Sequence, residues 1–484
     1  MPMNYINNAS LLKRQLVVRF ARLMFAGELK NEIDLLPLHQ APRNSEAVRC
    51  CLHHDRAVIR YRLIALLGFA IENEKPDDEA RTLASYVEEA EARGAARMAG
   101  SALTVIDEAC SACIRANYRV TNACRGCVAR PCMMNCPKNC ISFEHGQAHI
   151  NEKACISCGI CAKVCPYHSI VFQPIPCEQA CPVNAIVQDK NGKQDILADK
   201  CINCGKCLQA CPFGAIMERS EIYEILRAIT NPAEATVALI APSIVGQFNT
   251  SLGKLVTALR KLGFDHVVEV AWGADLAAQK ETAELIERLE HGQTCMTSSC
   301  CPAYVDAVNK HVTNIKPLVS DTLSPMQYAG EWAGKQWPGA RRVFVGPCIA
   351  KRAEAKTSPH IENTLTYEEL GSIFIAAGVD VAECEESRAD LEATSVGRKF
   401  AVSGGVSTAI KNAASAAGHN VTDKVIDGLD SKSLAILKAI DKIVKTDTFV
   451  EVMSCEGGCI NGPGVISNPA VARRFLEKML QEHP

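Results

Sequence analysis

The sequence lacks long hydrophobic runs, and neither sign of charge is in excess. Its 484 residues include 52 Lys or Arg and 54 Asp or Glu, a formal net charge of −2. This balance excludes binding to nucleic acid through bulk charge. No stretch approaches the roughly 20 apolar residues of a membrane span. Residues 1–8 are polar rather than part of a secretory signal, so we expect a cytoplasmic protein.

Cysteine, in contrast, is abundant. The chain has 26, and 17 of them lie between residues 110 and 211. Disulfides are rare in a reducing compartment, so this density predicts metal ligation. No glycine-rich dinucleotide fingerprint stands out, so direct reduction of NAD is not expected.

The cysteine distribution predicts a multidomain α+β protein with boundaries at 1–109, 110–220 and 221–484. The first segment is predicted to be helical, because apolar residues recur at helical spacing from Leu12 to Leu23. Ser10 is the expected cap of this helix, and a further helix is expected to start near Pro76. No chemistry is visible here, which favours a packing or docking region.

The last segment is predicted to be α/β with a largely parallel sheet. Apolar, β-branched runs alternate with helical patterns at 274–289 and 431–443. The predicted strands are 236–240, 266–270, 342–345, 400–402 and 449–452. Sites in such sheets form beyond the carboxyl ends of strands, and Cys348 and Cys455 follow two of them.

The middle segment contains tandem bacterial-ferredoxin spacing, typical of βαβ-type 4Fe–4S units. In such runs three close thiolates bind one cube, and the cysteine before proline reaches the neighbouring cluster. Exchanging these fourth ligands gives three predicted sets. Set A is Cys124, Cys127, Cys132 and Cys165; set B is Cys136, Cys155, Cys158 and Cys161; set C is Cys181, Cys201, Cys204 and Cys207.

Cys177 and Cys211 are then left without a complete set. Cys110 and Cys113 would complete a fourth, which we name set D, so three to four accessory 4Fe–4S clusters are expected. Cys140 is left over, and the adjacent Cys50 and Cys51 are interpreted as incidental. Zinc is the alternative ligand, but it prefers separated cysteine pairs around one ion.

Three cysteine-bearing motifs follow in the last segment, at residues 297–304, 346–354 and 451–462. Their order and letters (TSSCCPAY, GPCIAKRAE, EVMSCEGGCING) resemble the three signature loops of the FeFe-hydrogenases. The resemblance covers about residues 100–470, including the ferredoxin-like array. It identifies the segment 221–484 as a catalytic H-domain.

The resemblance implies an H-cluster, a 4Fe–4S cube joined to a di-iron unit with CO, cyanide and an azadithiolate bridge. Its cube ligands would be Cys301, Cys348, Cys455 and Cys459. Lys351 and Ser243 match cyanide contacts. Pro242, Gly346 and Met453 belong to the same cofactor surroundings.

The resemblance also implies a proton relay. Cys300 matches the thiol that exchanges protons with the azadithiolate amine, and Glu281, Ser320 and Glu284 match the residues beyond it. The i, i+3 spacing of the glutamates places both on one helical face. Paired glutamates alone are usually a solvated face, and only the neighbouring motifs favour a function.

Several positions depart from the prototype and resemble the group B enzymes. Tyr304 replaces a tryptophan, Gly346 replaces a methionine, Met326 replaces a glutamine, and Pro463 interrupts a glycine run. We expect the small Gly346 to loosen the packing over the di-iron unit.

The resemblance thus implies reversible reduction of protons to H₂, with electrons exchanged with a soluble carrier such as ferredoxin. Dedicated maturases would insert the di-iron unit. Two alternatives share the fold: a hydrogen sensor, and a Narf-like iron–sulfur assembly protein without the di-iron unit.

Overall fold

A computed structural model describes residues 7–94, 98, 100–113, 117–444 and 446–482. The N-terminal part is helical, as the sequence predicts. Its helices are α1 (Asn8–Ala26), α2 (Leu29–Glu32), α3 (Leu36–Gln40), α4 (Leu52–Leu66) and α5 (Leu83–Arg93). Among the described residues, no helix combines the length and the apolar character that crossing a bilayer requires.

Two predicted helix starts were wrong. Asn7 rather than Ser10 caps α1, because its side chain accepts the Ser10 N–H at 2.9 Å. The segment at Pro76–Ala80 is a short 3₁₀ turn. The next α-helix begins later, where the Thr82 side chain accepts the N–H of Ser85.

The middle part consists of short helices and two-stranded antiparallel sheets. The order is β1 (Leu103–Val105), β2 (Asn117–Val120), α6 (Pro131–Met134), β3 (Ile141–Glu144), β4 (Gln147–Ile150), α7 (Ile160–Val164), β5 (Ile170–Gln173), α8 (Pro176–Ala180), β6 (Ile186–Gln188), β7 (Gln194–Ile196), α9 (Lys206–Ala210) and β8 (Ile216–Glu218).

These strands pair as two repeated units. β2 pairs with β5 and β3 with β4 in the first unit, whereas β6 pairs with β7 and β1 with β8 in the second. Strand β1 lies before the predicted boundary at residue 110, yet Leu103 is opposite Glu218 in the ladder.

The C-terminal part is α/β. Its elements are α10 (Ile222–Ile229), β9 (Thr236–Ile240), α11 (Leu252–Leu262), β10 (His266–Glu269), α12 (Val270–Glu290), β11 (Cys295–Thr297), α13 (Pro302–His311), α14 (Pro325–Gln336), β12 (Arg341–Val345), α15 (Ile349–Thr357), β13 (Asn363–Leu365), α16 (Tyr367–Ala377), α17 (Ser395–Arg398), α18 (Gly405–Ala416), β14 (Thr422–Asp427), α19 (Ser431–Lys438), α20 (Ile440–Ile443), β15 (Thr448–Met453) and α21 (Pro469–Glu482).

The strands form two parallel sheets rather than one. One has the order β10-β9-β12-β13 and the other β11-β15-β14. The strand predicted at 400–402 was wrong: Lys399–Ala401 is a 3₁₀ turn in which Phe400 and Ala401 are buried without strand pairing. The helix predicted at 431–443 is interrupted at Ala439.

The N-terminal helices share a core with the C-terminal part. Helix α1 packs against α10 and α16. Leu16 and Phe20 belong to the same buried cluster as Leu370 and Ile373. The first segment is therefore a structural part of the C-terminal unit.

A buried polar network lies where the three parts meet. Arg352 and Glu369 form an ion pair at 2.8 Å, and each side chain is 1% exposed. Arg352 also donates to the Arg219 carbonyl, while Ser220 donates to Glu369. The pair thus joins helices α15 and α16 to the chain that leaves β8.

We expect Arg352→Met to lower the free energy of unfolding by about 3–5 kcal/mol, because it leaves the Glu369 carboxylate buried without its partner. Arg342→Met is the matched control, since the Arg342–Glu362 pair is partly exposed and should contribute about 1 kcal/mol or less. Urea denaturation under anaerobic conditions measures both. Equal losses for the two variants would contradict a special role for the buried pair.

Candidate active site

Four cysteines from three distant loops converge on one cavity. Cys301, Cys348, Cys455 and Cys459 all line it, and its volume is about 90 Å³. It lies between the carboxyl ends of the two parallel sheets, where ligand sites form in α/β folds. The four residues predicted as one ligand set are therefore brought together.

Helix starts and strand ends position these cysteines. Cys301 and Cys348 are the cap residues of α13 and α15, and Cys455 follows β15. Gly458 has φ +97°, and a Cβ there would lie 2.6 Å from the backbone of Val402. Only glycine permits this close approach, which leads the chain to Cys459.

The four thiols suppress one another's ionisation. Burial and then Cys348 raise the pKa of Cys459 to about 12, and burial and then Cys301 raise the pKa of Cys348 to about 11. Thiolates packed this closely need a cationic partner. Four convergent sulfur donors of this kind fit an iron–sulfur group.

Lys351 supplies a buried positive charge at the cavity wall. Burial lowers the pKa of its ammonium, but the Glu354 carboxylate at 2.7 Å outweighs this effect and holds the pKa above its usual value. Glu354 also accepts hydrogen bonds from Ser324 Oγ and Gln327 Nε2. Sequence reasoning did not select Glu354 as a site residue, although its place three residues after Lys351 in the second motif was a usable signal.

Pro242, Ser243 and Met453, predicted to surround the cofactor, also line the cavity. Ser243 is buried, and its hydroxyl is 2.7 Å from that of Tyr367. Tyr367 was missed because it comes from α16, more than 120 residues away in sequence. This hydrogen bond with the Tyr367 hydroxyl group orients the Ser243 side chain.

Gly346 is not among the residues that line the cavity, and the expectation of loose packing there was wrong. A Cβ at Gly346 would lie 2.4 Å from the ring of Phe344 and 3.2 Å from Ala241. Phe344 itself lines the cavity. The ring two residues earlier on the same strand face thus fills the space that the glycine leaves.

The predicted proton relay forms a connected row. The Ser299 N–H donates to Glu281 Oε1 at 3.1 Å, next to Cys300 on the cavity wall. The Ser320 hydroxyl donates to Glu284 Oε2 at 2.6 Å and also affects the pKa of the Glu281 carboxyl. Glu281 is 1% exposed, whereas the Glu284 side chain is 18% exposed. The row therefore leads from the cavity towards the surface.

The two glutamates hold protons differently. Burial raises the pKa of Glu281 to about 8. Burial acts in the same direction on Glu284, but hydrogen bonds from the Asp321 N–H, Ser320 and Thr322 outweigh it and lower the pKa. At neutral pH the Glu281 carboxyl is therefore protonated and the Glu284 carboxyl is ionised, with Ser320 between them. Burial, and then Glu281, raise the pKa of Cys300 well above its usual value, so its thiol stays protonated.

Set C lies directly beside the cavity. Burial, and then Cys201 and Cys181, raise the pKa of Cys204 to about 12. Burial, and then Cys204, Cys201 and Cys181, raise the pKa of Cys207. All four members of set C are therefore close together. Cys204 also lines the main cavity.

The four cysteines predicted as set D lie near one another in the structure. Burial, then Cys211 and Cys113, raise the pKa of Cys177 to about 12. Cys110 and Cys211 act on Cys113 in the same direction. The thiol of Cys207 in set C also responds to Cys177, so sets C and D are neighbours.

Sets A and B belong to the first ferredoxin-like unit. Burial and then Cys165 and Cys127 raise the pKa of Cys132, and Cys124 packs against the same core. The members of set B line one small pocket. Cys140, left unassigned from sequence, lines it too, with its sulfur 3.4 Å from that of Cys136.

A single metal ion is a poor fit to these thiols. Within the described ranges, no three or more His, Cys, Asp or Glu side chains are arranged to hold one ion. Cys295 and Cys384, which belong to no set, are buried, as is common for ordinary thiols.

Known protein families match two parts of the chain. The iron-only hydrogenase large subunit, C-terminal domain, matches residues 234–463. Residues 148–171 match a 4Fe-4S binding domain, and residues 172–222 match the LdpA Fe-S cluster-binding domain.

Individual relatives fall into two functional groups. Iron hydrogenase 1 of Clostridium pasteurianum is 28% identical over 320 residues, which cover 55% of this chain and 55% of that protein. The NADP-reducing hydrogenase subunit HndD of Solidesulfovibrio fructosivorans is 30% identical over 311 residues, or 52% and 53% of the two chains. The match spans about half the length of these hydrogenases. The cytosolic Fe-S cluster assembly factor narfl of Danio rerio is 22% identical over 338 residues, or 54% and 82%.

The pKa of Glu281 generates one prediction. Its carboxyl should be protonated below pH 8 and ionised above it. Because the folded pKa exceeds the ordinary 4.5, this group binds a proton more tightly when folded. Its contribution should therefore lower the free energy of unfolding as pH rises from 4.5 to 8. Infrared difference titration should show a protonated-carboxyl band with a midpoint near pH 8 that Glu281→Gln removes. A midpoint below pH 5 would contradict the buried, neutral carboxyl.

Set D generates a second prediction. Cys177→Ser should lower the iron content of reconstituted protein by about four atoms per chain, because a 4Fe–4S cube loses one of its four thiolates. Cys384→Ser is the control and should leave the iron content unchanged, since this buried thiol belongs to no set. Iron and sulfide analysis measures both. Full iron content in Cys177→Ser would remove set D from the list of cluster sites.

Proposed function

Because the chain is an iron-only hydrogenase-like protein with ferredoxin-like iron–sulfur segments, we propose that it is a FeFe-hydrogenase. The reaction is 2H⁺ + 2e⁻ ⇌ H₂. The observation that carries the proposal is the row of Cys300, Glu281, Ser320 and Glu284. An assembly or storage role requires no proton path from a buried cavity.

The cavity residues would hold an H-cluster. Cys301, Cys348, Cys455 and Cys459 would bind the cube, and the buried ammonium of Lys351 favours an anionic ligand such as cyanide. When bound, this group supplies the iron centre at which protons and electrons combine. The departures at Tyr304, Gly346 and Pro463 are the basis for placing the protein in group B.

The chain itself moves the protons. The protonated thiol of Cys300 is the donor on the cavity wall. Glu281 then returns a proton to it, because its own carboxyl is neutral near pH 7. Glu284 takes up a proton near the surface and passes it to the Ser320 hydroxyl, to which it is hydrogen-bonded; Ser320 in turn gives a proton to Glu281 and restores its neutral carboxyl.

The four cysteine sets would carry the electrons as accessory 4Fe–4S clusters. Sets C and D continue outwards from the cavity, and sets A and B occupy the first unit. We propose a soluble one-electron carrier, ferredoxin, as the partner, and maturases as the source of the di-iron unit. The large number of free thiols favours the reducing cytoplasm.

The assembly-factor relative supports a second candidate, iron–sulfur cluster assembly. A protein with that function would need the four cavity cysteines, but not Cys300. A hydrogen sensor would need both. The retention of Cys300 beside the Glu281–Ser320–Glu284 row therefore favours a hydrogen-converting protein over the assembly candidate.

Infrared spectroscopy of anaerobic protein, prepared with and without maturases, tests the proposal. Iron-bound CO and cyanide bands should appear only after maturation and should shift under H₂. The absence of these bands in protein with full 4Fe–4S content would leave the assembly function.

Cys300→Ala tests the proton path separately. It should keep the infrared bands but lower turnover by about 10²-fold or more, because a positioned proton donor contributes at least this factor. Cys384→Ala should leave both unchanged. H₂ evolution with a reduced viologen measures turnover. Retained activity in Cys300→Ala would exclude the proposed path.

A further inference from the structure

Two adjacent cysteines and a histidine form a cluster outside every site described above. Cys50 and Cys51 precede α4, and their sulfur atoms are 4.0 Å apart. The His54 Nδ1 atom is 3.0 Å from Cys50 Sγ. Of the 26 cysteines, all described, only Cys50, Cys51 and Cys158 are exposed, and Cys158 belongs to set B.

A backbone carbonyl determines the role of His54. Its Nε2 atom lies 2.5 Å from the Glu108 carbonyl oxygen, which can only accept a hydrogen bond. Nε2 therefore carries the proton, and in the neutral ring Nδ1 is an acceptor. This acceptor faces Cys50, so His54 is placed to take the thiol proton.

The two thiols differ in environment. Cys51 is the cap residue of α4, and the His54 N–H, followed by other local hydrogen bonds, lowers its pKa. Cysteines at helix N-termini ionise readily in this way. Desolvation and then the neighbouring Cys51 raise the pKa of Cys50. One thiol is therefore favoured as a thiolate, while the other keeps its proton beside a base.

We propose that Cys50 and Cys51 form a thiol–disulfide exchange site for a low-molecular-weight disulfide. The Cys51 thiolate attacks the disulfide RS–SR, which forms Cys51–S–SR and releases RS⁻. Cys50 then attacks Cys51 sulfur as His54 takes its proton, which forms the Cys50–Cys51 disulfide and releases a second RS⁻. The incoming disulfide is the oxidant and is reduced to two thiols.

The geometry favours exchange over permanent closure. Adjacent Cα atoms are about 3.8 Å apart, below the usual range for a disulfide. The Cys50–Cys51 bond is therefore strained, and strained exposed disulfides are readily reduced again. A metal ion is disfavoured, since no described group of three ligands is arranged to hold one.

The site also lies beside set D. Glu108 is two residues before Cys110, and Arg49 Nη2 donates to the carbonyl of Phe213, two residues after Cys211. Exchange at Cys51 would thus take place next to the loops that carry Cys110 and Cys211. Cluster absorbance has to be followed in the same samples, because a lost cluster would expose other thiols.

The test uses anaerobic holoprotein with glutathione disulfide as the probe. The wild type should release two equivalents of glutathione per chain and gain a Cys50–Cys51 bond, seen by peptide mass spectrometry, with cluster absorbance unchanged. Cys50→Ser should stop at one equivalent with glutathione on Cys51. Cys51→Ser should no longer release the first equivalent of glutathione rapidly, and Cys384→Ser should behave as the wild type.

His54→Gln separates the histidine's role from mere exposure. It should slow release of the second equivalent by about tenfold or more while leaving the first unchanged. Three results would overturn the proposal. They are glutathione bound to other cysteines, unchanged release of the first equivalent in Cys51→Ser, and unchanged release of the second equivalent in His54→Gln. Reaction with an oxidised protein dithiol but not with glutathione disulfide would overturn the assignment to small disulfides. Failure of the hydrogenase proposal affects none of these readouts.

Discussion

The buried ion pair between Arg352 and Glu369 is the constraint on which the C-terminal part depends. Each charge is almost fully removed from water, so neither helix can shift without leaving a buried charge unpaired. Helix α15 begins at Cys348 and carries Lys351 just before Arg352. The same pair therefore holds one cavity cysteine and one cavity cation in position.

The N-terminal helix extends this network. Lys13 contacts both Glu218 and Glu368, and Arg14 also contacts Glu368. Glu368 directly precedes Glu369 in α16, so charges from all three parts of the chain meet at one point. These shared charges explain why the N-terminal region, which carries no recognised motif, shares a core with the C-terminal part.

Desolvation gives the site its chemical asymmetry. Glu281 and Glu284 are one helical turn apart, but only Glu281 is fully enclosed. Its pKa rises because few donors offset the burial, whereas several donors offset it at Glu284. Two similar carboxyls thereby acquire pKa values shifted in opposite directions.

Contact between the second ferredoxin-like unit and the cavity loops is equally close. A Cβ at Gly205 would lie 2.7 Å from Pro463 and 3.2 Å from Ile349. Gly205 follows Cys204, so its missing side chain lets set C approach the cavity. Lys206 adds a hydrogen bond to the Leu429 carbonyl at 2.5 Å.

Local patterns in the sequence, namely ligand spacing and strand–helix alternation, correctly predicted the α/β class of the last segment, and they also predicted the cysteine sets, the three signature loops and the relay residues. Tertiary structure alone decided which remote groups meet. Tyr367 behind Ser243 and the Phe344 ring over Gly346 depend on packing between elements. The role of His54 depends on a carbonyl 54 residues away. The spacing of residues in the sequence indicates ligands that lie close together along the chain. Burial and long-range hydrogen bonds exist only once the chain has folded.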